Sequence, residues 1–139
     1  MPDLLTGLEP QSWSEPVCEG AMVLRQFAAA DAAVLLAAVD TVTAQAPFRH
    51  MQTPNGHKMS VGLTGCGACC WVSDRHGYRY VPTDPQTGDA WPGMPVVLRD
   101  LGVAAAQAAG FAGFQPDTCL INCYAPAAKW ACIRIGMSV

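Results

Sequence analysis

The chain has 139 residues, of which 51% are hydrophobic and 14% are charged, and its formal net charge is −3. This composition is typical of one globular domain and excludes a chain that is disordered over most of its length. No apolar run is long enough to span a bilayer, and Met1-Pro2-Asp3 lacks the cationic segment of a secretion signal. We therefore expect a cytoplasmic protein without membrane contact, whose seven cysteines are thiols.

The first third of the chain predicts an arm, a strand and a helix. Residues 1–19 contain prolines and glutamates without a clear period, which predicts an irregular N-terminal arm. The run Gly20–Phe27 is typical of a strand. Ala29–Ala46 predicts a helix with Asp31 as its N-cap, because apolar residues recur at helical spacing until Pro47 stops the pattern.

The middle of the chain predicts three short strands followed by a loop. Lys58–Thr64 alternates like a strand, and a second strand begins at Trp71. The turn residues Arg75–Gly77 then lead into a third strand, Tyr78–Val81, so we expect a small antiparallel meander. Residues 82–95 are rich in proline, aspartate and glycine and predict a loop.

The last part of the chain predicts a helix and a strand with a polar face. Val96–Ala109 has helical spacing, and Gly110 is placed to end it. In a strand over Asp117–Tyr124, Asn122 and Tyr124 would project from the same face. Two hydrogen-bonding groups then converge on one site, although an ordinary core strand would show the same pattern.

Positive charge is concentrated in residues 48–80, where four cationic side chains occur with Asp74 as the only anionic one. All three histidines and several aromatic residues fall in the same stretch, which contains Arg49, Lys58, Arg75, Arg79, His50, His57, His76, Trp71, Tyr78 and Tyr80. Cations interleaved with aromatic rings suit a single-stranded nucleic acid, whose phosphates bind cations and whose bases stack on rings. A solvated hairpin has a similar composition, so both interpretations stay open.

A C-x-x-C spacing occurs in Cys66-Gly67-Ala68-Cys69-Cys70, with His57 and His76 on either side. A structural zinc site usually repeats such a pair, and the chain has no second one. Small apolar residues at a tight bend are therefore the favoured interpretation, and a zinc site made by Cys66, Cys69 and Cys70 is the alternative.

A series of short motifs, taken in order and spacing, resembles the AlkB family of iron(II)- and 2-oxoglutarate-dependent dioxygenases, which remove alkyl groups from damaged DNA bases. The motifs run from about Gly20 to Lys129 and comprise Phe48–Met51, Thr53-Pro54, Met59-Ser60-Val61, Trp71, Gly77-Tyr78-x-Tyr80, Asp84–Thr87, Trp91-Pro92-x-Met94-Pro95, Phe114–Asp117 and Leu120–Pro126. The family's chemistry hydroxylates an alkyl carbon on a base nitrogen, and the product releases formaldehyde.

The resemblance implies an α+β fold in which residues 20–129 form the N-terminal region of a double-stranded β-helix, or jelly roll, with most of the barrel absent. Residues 48–95 would form a nucleotide-recognition lid. Within this lid, Trp71 and Tyr78 match positions that stack on a flipped base and hold the nearby phosphate. Thr53 matches another phosphate contact, and Leu63 stands where the family often has a methionine against the base.

The resemblance also implies the cofactor and the partners. Asn122 and Tyr124 match residues that hydrogen-bond 2-oxoglutarate, and Lys129 matches a residue near the substrate. The implied partner is alkylated DNA, single- or double-stranded, with RNA as an alternative, and the implied state is a monomer.

The resemblance ends just after Lys129, where the family has a His-x-Asp pair that binds iron(II). Ile133 and Ile135 occupy that register, and neither side chain can bind a metal. We therefore assign no catalytic and no metal-binding residue, expect the chain to be inactive as written, and regard Fe(II) and 2-oxoglutarate as cofactors of the intact family. The alternative function is a non-catalytic module that binds single-stranded nucleic acid.

Residues 130–139 read as an out-of-frame tail. Codons for Met-Gly-Leu-His-Gln-Asp-Arg-Asp-Glu-Arg, with their first base removed, translate as the sequence of residues 130–139. The restored frame contains His-x-Asp, so we expect a frameshift in an AlkB-like gene. In a chain without the remaining barrel, we further expect Leu120–Tyr124 to be an unpaired, aggregation-prone edge.

Overall fold

The computed structural model describes residues 12–126 and the backbone of residues 132–137. A single 3-10 turn at Ala29–Asp31 precedes the first helix. The helices and strands are β1 (Trp13–Cys18), β2 (Ala21–Arg25), α1 (Ala32–Gln45), β3 (Gly62–Gly67), β4 (Cys70–Asp74), β5 (Gly77–Val81), α2 (Val96–Ala108), β6 (Thr118–Tyr124) and β7 (Cys132–Met137). In this part of the chain, neither helix has the length and apolar character needed to cross a membrane. Lys129, for which we predict a place near the substrate, lies outside the described residues.

The central sheet is antiparallel and has the order β3-β6-β7. β6 is its middle strand: Asn122 pairs with Leu63 of β3 on one side and with position 134 of β7 on the other. The expectation that Leu120–Tyr124 forms an unpaired edge is therefore wrong. The physical reason is that β7, formed by the tail itself, supplies the backbone hydrogen bonds that a free edge would lack.

The predicted meander is also wrong in one respect, because β3 pairs with β6, whereas β4 and β5 form a separate two-stranded sheet. The chain leaves the central sheet at Gly67, whose φ is +118°. A Cβ atom at this position would overlap the Asp117 carbonyl oxygen, so only glycine fits. The next amide, of Ala68, donates to that same oxygen at 2.9 Å and fixes the bend.

Two apolar clusters lie on opposite faces of the central sheet. Cys119 and Ile121 alternate with Leu120 along β6, and both are 0% exposed. They pack on one face with the helices, where the buried helical residues are Leu35, Ala38, Val39, Val42 and Leu98. On the other face, Leu120 packs with the β4–β5 hairpin and the loop that follows it, in a cluster of Ala46, Met51, Leu63, Cys70, Val72 and Trp91.

Both helices and the strand β6 confirm their sequence predictions. Asp31 stands at the N-cap position of α1, but its side chain makes no capping hydrogen bond. Gly110 ends α2 as predicted, with a φ of +95°. The Gly110 and Phe111 amides donate back to the carbonyls of Gln107 and Ala106 at 3.0 and 2.8 Å, which satisfies the last turn of the helix.

The predicted irregular arm differs from the structure, because Trp13–Cys18 forms the strand β1 and pairs with β2. The sequence of this segment does not look like a strand, because Pro16 lies in the middle of it. In a two-stranded ribbon every second amide points away from the partner strand, so a proline at such a position removes no ladder hydrogen bond. The Glu15 carboxylate also ties the ribbon together, since it accepts from Trp13 Nε1 and from Arg25.

Candidate functional site

The β4–β5 hairpin carries an aromatic face, defined here as Trp71, Tyr78 and Tyr80. The register pairs Trp71 with Tyr80 and Ser73 with Tyr78, so these side chains leave the hairpin on the same side. The rings of Trp71 and Tyr78 stack with centroids 5.5 Å apart and planes inclined by 15°. Tyr78 is 61% exposed and Tyr80 is 50% exposed. Exposed stacked rings of this kind form a platform on which a nucleic-acid base can stack.

The aromatic face lies on the same side of the central sheet as Asn122. Trp71 packs against the apolar cluster that contains Leu63 and Leu120. Leu63 is directly opposite Asn122 in the β3–β6 register, so their side chains share a face. The residues predicted to meet a base and those predicted to meet a cofactor thus lie on the same side of the central sheet. Leu63, however, is only 3% exposed and forms part of the floor beneath the hairpin.

Asn122 and Tyr124 lie side by side on β6, beyond the part of the sheet that the hairpin covers. Asn122 Nδ2 donates to the Tyr124 hydroxyl over a long 3.5 Å. Asn122 Oδ1 is buried and has no hydrogen-bond partner among the described residues. Rotation of the carboxamide by half a turn would let Tyr124 donate to Oδ1 and would leave the Nδ2 donors facing inward. In either orientation a donor stays available for a carboxylate ligand such as 2-oxoglutarate: the Tyr124 hydroxyl as it stands, or Asn122 Nδ2 after the rotation.

The residues that the structure describes do not fit an iron ion. Between residues 12 and 126, no cluster of three histidine, cysteine, aspartate or glutamate side chains could hold a metal. Backbone positions 133 and 135, where the family has its histidine and aspartate, pair with Cys123 and Ile121. The isoleucines that the sequence has at these two positions cannot bind iron.

Two of the four cations in residues 48–80 form ion pairs with carboxylates of the same chain, one pair buried and one at the surface. Arg49 donates from both terminal nitrogens to the Asp84 carboxylate, at 2.6 and 2.7 Å, and Arg49 also lies 5.1 Å over the Trp91 ring. Arg79 makes an equivalent pair with Asp74, both bonds being 2.8 Å long. The predicted basic surface is consequently smaller than the residue count indicates, because the partner of Arg49 lies outside the stretch.

These ion pairs change the acidity of both carboxylates. Burial acts to raise the pKa of Asp84, but the Arg49 guanidinium and the backbone amides of Gln86 and Thr87 outweigh burial and lower this pKa. The Arg79 guanidinium, followed by the His76 amide, lowers the pKa of Asp74. Both carboxylates are thus anionic at neutral pH and hold the arginines in place.

Thr53, a predicted phosphate contact, stabilises its own turn. Its hydroxyl accepts from the His57 amide at 3.2 Å, and its backbone amide donates to the His57 carbonyl at 2.8 Å. The turn brings Lys58 opposite Gln52 in an antiparallel bridge. The Ser73 hydroxyl of the hairpin donates to the Gln52 carbonyl at 2.6 Å, which fixes the turn against the aromatic face.

The cysteines of the C-x-x-C segment pack into separate places. Cys66 belongs to the helix-facing cluster and Cys70 to the hairpin-facing cluster, so they leave the chain on opposite sides of the sheet. A hydrogen bond with Cys119 and burial raise the pKa of the Cys66 thiol. Burial raises the pKa of Cys70 to about 12. These protonated, buried thiols behave as small apolar residues.

Sequence reasoning missed the cluster of Arg49, Asp84 and Trp91. Asp84 is 1% exposed and Trp91 is 5% exposed, and Trp91 Nε1 donates to the Val81 carbonyl at 3.0 Å. The cluster fastens the loop after β5 under the hairpin. The loop contains two aspartates, Asp84 and Asp89, and the sequence does not show which of them is buried, because aspartates in Pro- and Gly-rich loops are usually solvated.

The fold and site define a class of α+β protein in which an aromatic hairpin lies over a sheet that carries an amide–phenol pair. The family model described as the 2OG-Fe(II) oxygenase superfamily matches residues 20–132. The chain belongs to this superfamily.

Curated relatives confirm the resemblance to AlkB. The chain is 50% identical over 129 residues to "Alpha-ketoglutarate-dependent dioxygenase AlkB" of Escherichia coli (strain K12). The matched residues cover 93% of this chain and 59% of the relative. It is 52% identical over 117 residues to the protein of the same name from Salmonella typhimurium, covering 84% of this chain and 54% of the relative. An AlkB homolog of Caulobacter vibrioides is 42% identical over 95 residues, or 68% of this chain and 41% of that protein. The chain thus spans little more than half the length of its first two relatives.

Proposed function

We propose that this chain is the nucleotide-binding part of an AlkB-type oxidative dealkylase that acts on alkylated DNA bases. The observation that carries the proposal is the stacked pair of Trp71 and Tyr78 on a hairpin that packs over the same face of the central sheet as Asn122. A base stacked on this pair would be held on the same side of the sheet as the carboxylate of a co-substrate bound at Asn122 and Tyr124.

Each residue of the proposed site has a distinct role. The Trp71 ring offers its face to the base, and the exposed Tyr78 hydroxyl reaches the neighbouring phosphate. Leu63 supports the aromatic face from below, and Thr53 acts through the shape of its turn as well as through its hydroxyl. Lys129 keeps its proposed place near the substrate. Asn122 and Tyr124 would hold 2-oxoglutarate, which supplies reducing equivalents in this superfamily.

We further propose that the chain as written does not turn over, because isoleucines stand at positions 133 and 135. The family match ends at residue 132, immediately before these positions, which supports a frameshift near codon 130. The nucleotide sequence around codon 130 tests this proposal. A shifted frame that does not open into His-x-Asp would overturn it.

The proposal includes several finer points. The chain would contribute the lid and the first strands of a jelly roll, act as a monomer in the cytoplasm, and accept single- or double-stranded DNA, with RNA as an alternative. High identity to proteins named "Alpha-ketoglutarate-dependent dioxygenase AlkB" supports the dioxygenase part of the proposal.

Base binding is tested with a fluorescent single-stranded oligonucleotide that contains one methylated adenine. We expect the full chain to bind it, and Trp71→Ala to weaken binding by about five- to 150-fold, since stacking on one ring contributes about 1–3 kcal/mol. Trp13→Ala is the matched control, because Trp13 is 52% exposed but lies on the β1–β2 ribbon. Equal losses for both variants would show that the aromatic face does not bind bases.

A second candidate function is a non-catalytic module that binds single-stranded nucleic acid. It is favoured by the presence of the aromatic face in a structure whose described residues provide no metal-binding cluster. Equal affinity for methylated and unmethylated oligonucleotides, both dependent on Trp71, would favour this module over the dealkylase lid.

A further inference from the structure

The cations that remain without a carboxylate partner near the aromatic face are Lys58 and Arg75. Both are exposed, and neither forms an ion pair with another described residue, whereas Arg49 and Arg79 are neutralised by Asp84 and Asp74. A phosphate attracted to this surface would therefore meet Lys58 and Arg75.

A chain of contacts places Lys58 beside the aromatic face. Lys58 is paired with Gln52, the Gln52 carbonyl accepts from Ser73, and Ser73 is paired with Tyr78. Neighbouring strands lie about 5 Å apart, so Lys58 and Tyr78 are only a few such steps from each other. The long, flexible side chain of a lysine extends across part of that distance.

Arg75 lies at the tip of the same hairpin, in the turn between β4 and β5. It follows Ser73 by two residues, which corresponds to about 6.6 Å along a strand. Asp74, its neighbour, is already bonded to Arg79 and His76, so the charge of Arg75 is available to an external anion. The stacked Trp71 and Tyr78 rings lie along the same hairpin.

We propose that Lys58 and Arg75 are a pair of phosphate contacts for the backbone of a single-stranded nucleic acid, and that they hold the strand while a base stacks on Trp71. This inference rests on the proposed function and adds to it the path that the nucleic-acid strand takes across the protein. It assigns binding to two residues that lie outside the motifs that carry the resemblance to AlkB.

Counterion release makes the inference quantitative. Each phosphate contact with a single strand contributes about −0.7 to the slope of log K against log salt concentration. Removal of one contact should therefore reduce affinity about fivefold at 0.1 M salt and about 25-fold at 0.01 M salt. Loss of an aromatic contact should instead reduce affinity by a factor that stays the same at every salt concentration.

The test measures binding of the full 139-residue chain to a fluorescent single-stranded oligonucleotide between 0.01 and 0.3 M salt, near pH 8, to limit histidine charge. The variants are Lys58→Ala, Arg75→Ala, Trp71→Ala and the control Arg99→Ala, which removes a half-exposed cation from α2. Circular dichroism verifies that each variant is folded. We expect Lys58→Ala and Arg75→Ala each to lower the magnitude of the slope by about 0.7, and Arg99→Ala to leave it unchanged.

The outcomes separate this inference from the proposed function. If Trp71→Ala weakens binding while Lys58→Ala and Arg75→Ala keep the wild-type slope, the function stands and the phosphate contacts are refuted. If the unmodified chain does not bind the oligonucleotide at all, both are refuted. An equal change of slope in Arg99→Ala would mean that net charge alone controls binding, which also overturns the inference.

Discussion

The ion pair between Arg49 and Asp84 gives the sharpest prediction about stability. Its side chains are 12% and 1% exposed, and both oxygen atoms of the carboxylate are bonded to the guanidinium. Arg49→Met preserves much of the side-chain volume but leaves the Asp84 charge buried with only backbone amides as donors. Removing one partner of a buried pair costs about 3–5 kcal/mol, which is a large part of the stability of a typical domain.

Urea unfolding followed by tryptophan fluorescence measures this cost. With a slope of about 1.5 kcal/mol per molar urea, the midpoint should fall by about 2–3 M. The matched control is Arg25→Met, which breaks the pair with Glu15. That pair is 52% and 44% exposed, so its loss should cost less than about 1 kcal/mol.

A double substitution distinguishes an orphaned charge from lost packing. Arg49→Met with Asp84→Asn removes the charge and keeps the shape, so it should be more stable than Arg49→Met alone. The reasoning is refuted if Arg49→Met costs no more than Arg25→Met, or if the double substitution is as unstable as the sum of the single ones.

Three further predictions concern the bend, the thiols and acid stability. Gly67→Ala should prevent folding or cost several kcal/mol, because its Cβ would meet the Asp117 carbonyl; a melt like that of the wild type would contradict this. In the folded chain, an alkylating reagent monitored by mass spectrometry should modify the exposed Cys18 rapidly and Cys70 only after unfolding, since burial raises the pKa of Cys70 to about 12; equal rates would be inconsistent with the buried position. Because the pKa of Asp84 is lowered by folding, its stabilisation is complete above the unfolded value of about 4 and is lost as pH falls through the lower folded value. Unfolding free energies of the wild type and Asp84→Asn should therefore converge below about pH 4, and parallel curves would exclude this linkage.

Local patterns predict the helices and the hairpin well. The helix α1 follows the spacing of Leu35, Val39 and Val42, and the hairpin follows the turn residues before Gly77. These features depend on neighbours within a few residues, which a sequence displays directly.

Pairing between distant segments could not be read from the same patterns. The strand β3 pairs with β6, which begins more than 50 residues later, and Asp84 reaches back to Arg49. The turn signals before and after Lys58–Thr64 fit pairing with the next strand as well as they fit pairing with β6. A count of charges does not show which cations have partners within the protein. The extent of the basic surface therefore required the structure.

The candidate site was predicted in part by pattern and in part by resemblance. Alternation along β6 indicates that Asn122 and Tyr124 share a face, and the structure confirms it through their 3.5 Å contact. The structure brings the Trp71 and Tyr78 rings into a stack, whereas their roles toward a base and a phosphate stay predictions from the resemblance to the AlkB family. The burial of Leu63 could not be predicted, since it depends on how the hairpin lies over the sheet.

Turnover by the unmodified 139-residue chain is the most direct test of the central claim, that the chain keeps a base-binding face without the residues that bind iron. The chain is incubated with Fe(II), 2-oxoglutarate and a methylated oligonucleotide, and both succinate and formaldehyde are measured. Our account predicts Trp71-dependent binding of the oligonucleotide with neither product formed, and both products after the reading frame is restored at codon 130. Stoichiometric succinate and formaldehyde from the unmodified chain would contradict it.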